Sequence, residues 1–130
     1  YVVQEILRLM NNKAIKIPKS NILIMGLTFK DNCPDLRNSK VIGIIKELED
    51  LNCNVDVFDP WASKEEASAD YNINLIDKPA KKKYDCIIMA VAHNEFKKID
   101  KPKLRNFCKN KFVIFDVKNI LDKNESDGRL

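Results

Sequence analysis

The chain has 130 residues, 45% of them hydrophobic and 32% charged, which suits one globular domain with a modest core. Its net charge of +4, from 23 basic and 19 acidic residues, is a mild excess that fits a small anionic ligand as readily as a polyanion and does not establish nucleic-acid binding. The longest apolar run covers residues 86–92, well short of the roughly 18 residues of a membrane span, so we expect a soluble protein. Four dispersed cysteines without a C-x-x-C pair argue against a zinc site or a disulfide scaffold and favour a reducing cytoplasm.

The first twelve residues have apolar side chains at helical spacing but no capping residue and no initiating methionine. This pattern predicts that the chain begins inside a helix of a larger protein, and that residues 13–20 lead into the domain. Residues 21–26 form an apolar run that Gly26 stops, as in a strand buried on both faces.

After this strand, apolar residues from Val41 to Leu51 recur every three or four positions, which predicts a helix with one face on a sheet. Residues 54–59 alternate as a strand that Pro60 ends. The further predicted elements are a short helix at 63–69, a brief third strand at 74–76, a strong fourth strand at 84–91, a weak helical stretch at 94–107 interrupted by Pro102, a fifth strand at 111–116 and a loose polar tail at 122–130.

This alternation predicts an α/β fold of the Rossmann-like type, a three-layer αβα sandwich. We expect a mostly parallel five-stranded sheet in the order 3-2-1-4-5. The connection over residues 26–37 is long for the loop between a strand and a helix, and such loops tend to be functional. Ligands of α/β proteins bind at this end of the sheet, so the loop is a candidate site.

The candidate site carries cationic and aromatic side chains. Lys30 offers a point charge and Arg37 a planar fork for phosphate, while Phe29 offers a flat surface for a base or ribose. Equally, Lys30 and Arg37 are compatible with simple ion pairs to Asp31 and Asp35. The chain has only three glycines and no G-x-G-x-x-G, so we do not expect it to bind NAD by itself.

Four segments resemble the C-terminal domain of the UDP-glucose/GDP-mannose dehydrogenase family. They are GLTFKDNCPDLRNS at 26–39, VDVFDPW at 55–61, AVAHNEF at 90–96 and FDVKN at 115–119. The first segment is similar to that of the enzymes that oxidise UDP-N-acetylhexosamines for capsule or O-antigen sugars. The resemblance covers essentially the whole chain. It predicts the end of a central linker helix and its connection at 1–20, a UDP-sugar-binding domain at 21–121 and a tail at 122–130.

The resemblance implies a larger enzyme with an NAD-binding N-terminal domain and a central region that carries the catalytic cysteine and the dimer contact. Such enzymes oxidise C6 of the sugar twice with NAD, through a cysteine thioester. Phe29 and Lys30 then correspond to substrate-binding residues, and Arg37 to a residue that reaches the NAD of the other domain. The implied partners are UDP-sugar and a second copy of the full-length protein, with no nucleic acid and no membrane, and this segment alone is expected to be inactive.

Some residues depart from the family pattern or stay ambiguous. Many relatives have an arginine where this chain has Lys118, which keeps the charge but not the bidentate geometry, so both substrate binding and simple solvation remain open. Cys33 is expected to be structural rather than nucleophilic. A local loop bond is favoured for His93 over a ligand contact, and a turn-stabilising role for Asp59 over a ribose contact. Trp61 fits an interdomain contact or edge packing.

One alternative comes from a different class of protein, a stand-alone flavodoxin-like module that binds an anion or a partner. The two hypotheses differ in the role of Lys30 and Arg37, because only the dehydrogenase requires them to face a nucleotide sugar and NAD.

Overall fold

The structure, a computed structural model, describes residues 1–130 and has helices on both faces of one parallel sheet. In chain order, the elements are α1 Val2–Asn12, β1 Asn21–Met25, α2 Val41–Asp50, β2 Asn54–Phe58, α3 Lys64–Tyr71, β3 Tyr84–Met89, α4 Asn94–Lys97, α5 Lys101–Asn106, β4 Cys108–Asp116, a 3₁₀ turn Lys123–Glu125 and β5 Gly128–Arg129. The predicted α/β class and parallel sheet are confirmed. None of the helices is long and apolar enough to cross a bilayer.

The sheet has the strand order β2-β1-β3-β4-β5, and every pair is parallel. The predicted strand at 74–76 occupies the expected edge beside β2, but it consists of a single bridge between Val57 and Leu75. The fifth strand comes instead from the tail, where Gly128–Arg129 pairs with the end of β4. The neighbours predicted for the four longer strands are therefore correct.

The tail is not loose, contrary to the sequence-based expectation. Asp127 accepts a hydrogen bond from the backbone N–H of Ile114 at 2.7 Å and pairs with Lys13 at 2.7 Å. Arg129 donates to the carbonyl of Leu121 at 2.7 Å. The two bonds of Asp127 attach the tail to β4 and to the residue that follows α1, and the polar sequence of the tail does not predict them.

The two faces of the sheet are covered unequally. On one face, α1 and α2 pack over a continuous core of 21 buried residues, which includes Ile6, Met10 and Ile45. The other face has a core of 10 buried residues, and only the short helices α4 and α5 supply Phe96 and Leu104 to it. The N-terminal helix is thus an integral part of the larger core.

Local capping follows the sequence where a short polar side chain is present. Ser63 accepts a hydrogen bond from the N–H of Glu66 and starts α3. Pro102 lies in the first turn of α5, where its missing N–H is not needed, and Asp100 caps that helix. The predicted helical stretch at 94–107 is therefore two separate helices.

Candidate functional site

The carboxyl ends of β1, β2 and β3 lie side by side, so the segments that follow them meet at one edge of the sheet. Gly26 follows β1, Asp59 follows β2, and His93 lies four residues beyond β3. Gly26 has φ of +107°, and a Cβ at this position would lie 2.6 Å from Cβ of Val91. This glycine is needed for the close approach of two loops and the unusual φ, not for a pyrophosphate.

Asp59 is a buried carboxylate that accepts backbone hydrogen bonds from two loops. Its Oδ2 accepts from the N–H groups of Leu27 at 2.6 Å and Thr28 at 3.0 Å. Its Oδ1 accepts from the N–H of Trp61 at 2.8 Å. Burial by itself would raise the pKa of Asp59, but the hydrogen bonds from His93 and the backbone outweigh it and hold the pKa below its usual value. The predicted turn-stabilising role is confirmed.

His93 is fully buried and connects the same loops from the other side. Its Nδ1 lies 2.9 Å from the backbone N of Asn32 and must accept that hydrogen bond. In the neutral ring the proton is therefore on Nε2, which lies 3.0 Å from Oδ2 of Asp59 and donates to it. The expectation of a local loop bond is wrong in one respect, because His93 bonds to a segment about 60 residues earlier in the chain.

Asp59 and His93 together fix both sides of the loop that carries the predicted substrate contacts. The carboxylate holds Thr28, and the imidazole holds Asn32. Phe29 and Lys30 lie between these two attachment points and remain exposed. A buried pair thus holds the segment that exposes these two side chains, and contacts positioned in advance in this way reduce the entropy lost when a ligand binds.

Trp61 covers this buried pair. Its ring stacks on the His93 imidazole with 5.9 Å between centroids and 24° between planes. Its Nε1 donates to Oε1 of Glu95 at 3.0 Å, and this hydrogen bond lowers the pKa of Glu95. Packing within the domain therefore accounts for one face of Trp61, while 37% of the residue remains exposed.

The three predicted substrate-binding residues line one cavity. Phe29, Lys30 and Lys118 border a volume of about 490 Å³, between the end of the sheet and α2. Lys40 joins them, and no acidic residue is in the lining. The ring of Phe29 is half exposed and offers a stacking surface. Three ammonium groups beside an apolar wall suit a ligand with an anionic part and a flat or apolar part.

Arg37 lies outside this cavity. Its Nε is 3.1 Å from Oδ1 of Asp35, its Nη2 is 3.3 Å from Oδ2, and the side chain is 80% exposed. The hydrogen bonds from Arg37 lower the pKa of Asp35. The alternative pairing expected from the sequence is therefore present, although exposed pairs of this kind are weak and leave the guanidinium available to another ligand. Lys30, in contrast, makes no ion pair with Asp31.

The four cysteines play no visible part in the cavity. Cys53, Cys86 and Cys108 are buried, as predicted, and burial raises the pKa of Cys86 and brings that of Cys108 to about 12. Cys33 is half-buried in the first loop and does not line the cavity. No group of three or more histidine, cysteine or acidic residues is arranged to hold a metal ion.

Sequence reasoning missed several residues at this edge. Lys40 immediately precedes α2 and lines the cavity, but a lone lysine before a helix carries no distinctive signal. Asn32 donates its backbone N–H to His93 and exchanges side-chain hydrogen bonds with Asn94, and these contacts with a segment about 60 residues later have no local signal in the sequence. The hydroxyl of Thr28 donates to the carbonyl of Lys30 at 2.9 Å. Thr28 lies within the segment at 26–39 that resembles the family, so that resemblance could have indicated its role.

Comparison with known proteins decides the family. Residues 23–123 match the model of the UDP-glucose/GDP-mannose dehydrogenase family, UDP binding domain. The chain belongs to this family. The UDP-N-acetyl-D-glucosamine 6-dehydrogenases of Pseudomonas aeruginosa and Salmonella typhi are 46% and 42% identical to it over 130 residues.

The chain spans 31% of the length of these two relatives, while the alignments cover 100% of the chain. Among solved structures, the UDP-D-ManNAc dehydrogenase from Pyrococcus horikoshii superimposes with a TM-score of 0.77 at 20% identity. That superposition covers 98% of this chain and 29% of the other. The structural likeness confirms the Rossmann-like fold.

Proposed function

We propose that this chain is the nucleotide-sugar-binding part of an NAD-dependent UDP-N-acetylhexosamine 6-dehydrogenase. Its family membership and its identity to two UDP-N-acetyl-D-glucosamine 6-dehydrogenases support this assignment. The substrate would be UDP-N-acetylglucosamine or its galactosamine isomer, oxidised at C6 to the carboxylate. The proposal extends to a homodimeric full-length enzyme that acts in the cytoplasm in surface polysaccharide biosynthesis, including capsule.

One observation carries the proposal beyond the family: Phe29, Lys30 and Lys118 converge on one cavity. Residues 29–30 and 118 follow β1 and β4 and are far apart in sequence, so the fold rather than proximity in sequence brings them together. The lysines would bind the diphosphate as point charges, and Phe29 would lie against the base or ribose.

NAD would be held mainly by another part of the full-length protein. Here the turn after β1 has a single glycine, and that glycine is packed against Val91, so the chain does not form a backbone cradle for a pyrophosphate. Arg37 does not line the cavity, and its exposed guanidinium would reach the cofactor across the cleft between domains. No cysteine lines the cavity, so the thioester chemistry that the family uses would also come from elsewhere.

The test is a calorimetric titration of the 130-residue chain with UDP-N-acetylglucosamine, with amide NMR shifts recorded in parallel. We expect weak binding and shifts concentrated in residues 27–37. Lys30→Gln and Lys118→Gln should each weaken binding about threefold to tenfold, because each removes one charge-assisted contact. Lys46→Gln is the matched control, since Lys46 is exposed on α2 away from the cavity, and it should bind within twofold of the parent.

Two results would count against the proposal. An absence of shifts in residues 27–37 at saturating UDP-sugar would remove the cavity as the binding site. Formation of NADH by the chain alone would contradict the view that the redox chemistry lies elsewhere. With the family established, the stand-alone anion-binding module has no observation in its favour.

A further inference from the structure

A second cavity lies on the opposite face of the sheet, and the uneven helix coverage is its cause. The 11-residue α1 and 10-residue α2 cover one face, whereas the other face has helices of 4 and 6 residues. These two short helices leave part of that face near the ends of β1 and β2 without a helix. A loop at 78–81 passes over the gap.

The cavity encloses about 490 Å³, within the range of sites for small organic molecules. Its apolar lining consists of Met25 and Phe58 from the ends of β1 and β2, with Ile99 and Phe107 beside α5. Met25 has no exposed surface, while Phe58 and Ile99 are half-buried. An apolar surface of this kind binds an apolar group more favourably than it binds water.

The rim of the cavity is cationic. Lys78, Lys81 and Lys103 line it, and no aspartate or glutamate is in the lining. All three lysines are exposed, and none forms a salt bridge within the chain. Three free ammonium groups around one apolar opening complement a single class of ligand, one with an apolar body and an anionic head.

We propose that this second cavity binds a small amphiphilic anion, with an aromatic or acyl body on Phe58 and Ile99 and a carboxylate, sulfonate or phosphate among the three lysines. The site is distinct from the UDP-sugar cavity, because the two share no lining residue and lie on opposite faces of the sheet. The inference goes beyond the proposed dehydrogenase function.

The test uses two fluorescent probes on the 130-residue chain. 8-Anilinonaphthalene-1-sulfonate has an aromatic body and one anionic group, and N-phenyl-1-naphthylamine is its neutral counterpart. We expect the anionic probe to bind with a stoichiometry of one. Lys103→Glu should weaken it about fivefold and leave the neutral probe within twofold, since exposed charge pairs each contribute modestly. Lys46→Glu, on the other face of the sheet, is the matched control and should change neither probe.

The location is tested by filling the cavity. Ala80 lines the opening and is exposed, so Ala80→Trp should weaken both probes more than tenfold, whereas Ala69→Trp on α3 should not. A measurement on the unaltered chain avoids any folding defect of these variants: the methyl resonances of Met25 and Ile99 should shift with the anionic probe. If octanoate competes with the anionic probe, the ligand body is an acyl chain. If octanoate does not compete, the body is aromatic.

No binding of the anionic probe to the folded chain would overturn the proposal. Unmoved methyl resonances at saturation would do the same, because the probe would then lie elsewhere. Equal loss of both probes in Lys103→Glu would refute the role of the lysines, and an acidic peptide that binds there while the small probe does not would replace the small ligand by a protein partner.

Discussion

Replacing Asp59 by alanine removes the acceptor on which four donors converge. The N–H groups of Leu27, Thr28 and Trp61 and Nε2 of His93 lie 2.6–3.0 Å from its two oxygens. Each bond contributes a net of about 1 kcal/mol, and more with an ionised acceptor, while the relieved desolvation of the carboxylate offsets part of the sum. We therefore expect the free energy of unfolding to fall by about 3–5 kcal/mol, the range for breaking a buried pair.

The assay is urea unfolding, followed by circular dichroism for the whole domain and by fluorescence for the site. Trp61 is the only tryptophan of the chain, and it stacks on His93, so its emission reports local loosening directly. Asp59→Asn keeps one acceptor oxygen and should lose only about 1–3 kcal/mol. Asp70→Ala, an exposed carboxylate on α3, is the control and should change stability by less than about 0.5 kcal/mol.

A loss below about 1 kcal/mol for Asp59→Ala, with Trp61 emission unchanged, would refute this reasoning. It would show that the N–H groups find water or other acceptors, and that the loop at 27–32 does not depend on the carboxylate. In that case the presentation of Phe29 and Lys30 would need another cause. A destabilised variant that also loses UDP-sugar binding in its folded fraction would link the buried pair to the site.

Three further predictions concern pH, glycine and thiol reactivity. Because folding lowers the pKa of Asp59, the carboxylate stabilises the fold fully above its unfolded pKa of about 4. This contribution is lost as the pH falls through the lower pKa of the folded state. Measurements of stability at decreasing pH should show the loss in the parent and not in Asp59→Asn. Gly26→Ala should lower the free energy of unfolding in urea by about 2–5 kcal/mol, because alanine is strained at positive φ and its Cβ would clash with Val91. Gly43→Ala should raise it by about 0.5–1 kcal/mol, because Gly43 lies in a helix with open space around it. Equal effects of the two substitutions would contradict this geometry. A disulfide reagent should modify Cys33 at least about tenfold faster than the three buried cysteines, and four equal rates in the folded chain would disprove their burial.

The main strands could be predicted because their signals are local. Residues 21–25 and 84–89 are almost wholly apolar, and a short apolar run of this kind is stable only between two covering layers. The prediction of a strand at 74–76 was only partly correct for a related reason. The apolar stretch there is too short to form a ladder, and only Leu75 pairs with β2. Its place beside β2 was nevertheless correct.

The tail and α1 could not be placed from local signals. The residues at 122–130 are polar, and polarity is typical of a loose segment. In the structure their backbone pairs with β4, and Asp127 bonds to Lys13, 114 positions earlier. Such bonds depend on which parts of the chain the fold brings together, and a side-chain pattern does not encode that.

The sequence by itself determined the α/β class and the family, because apolar periodicity and a contiguous motif can be read without coordinates. It named Phe29, Lys30 and Lys118 but offered no reason for them to meet. Only the tertiary structure brought them to one cavity and placed Arg37 outside it. It also showed that His93 and Asp59 hold the loop, since hydrogen bonds between distant segments form only when the sheet aligns the ends of its strands.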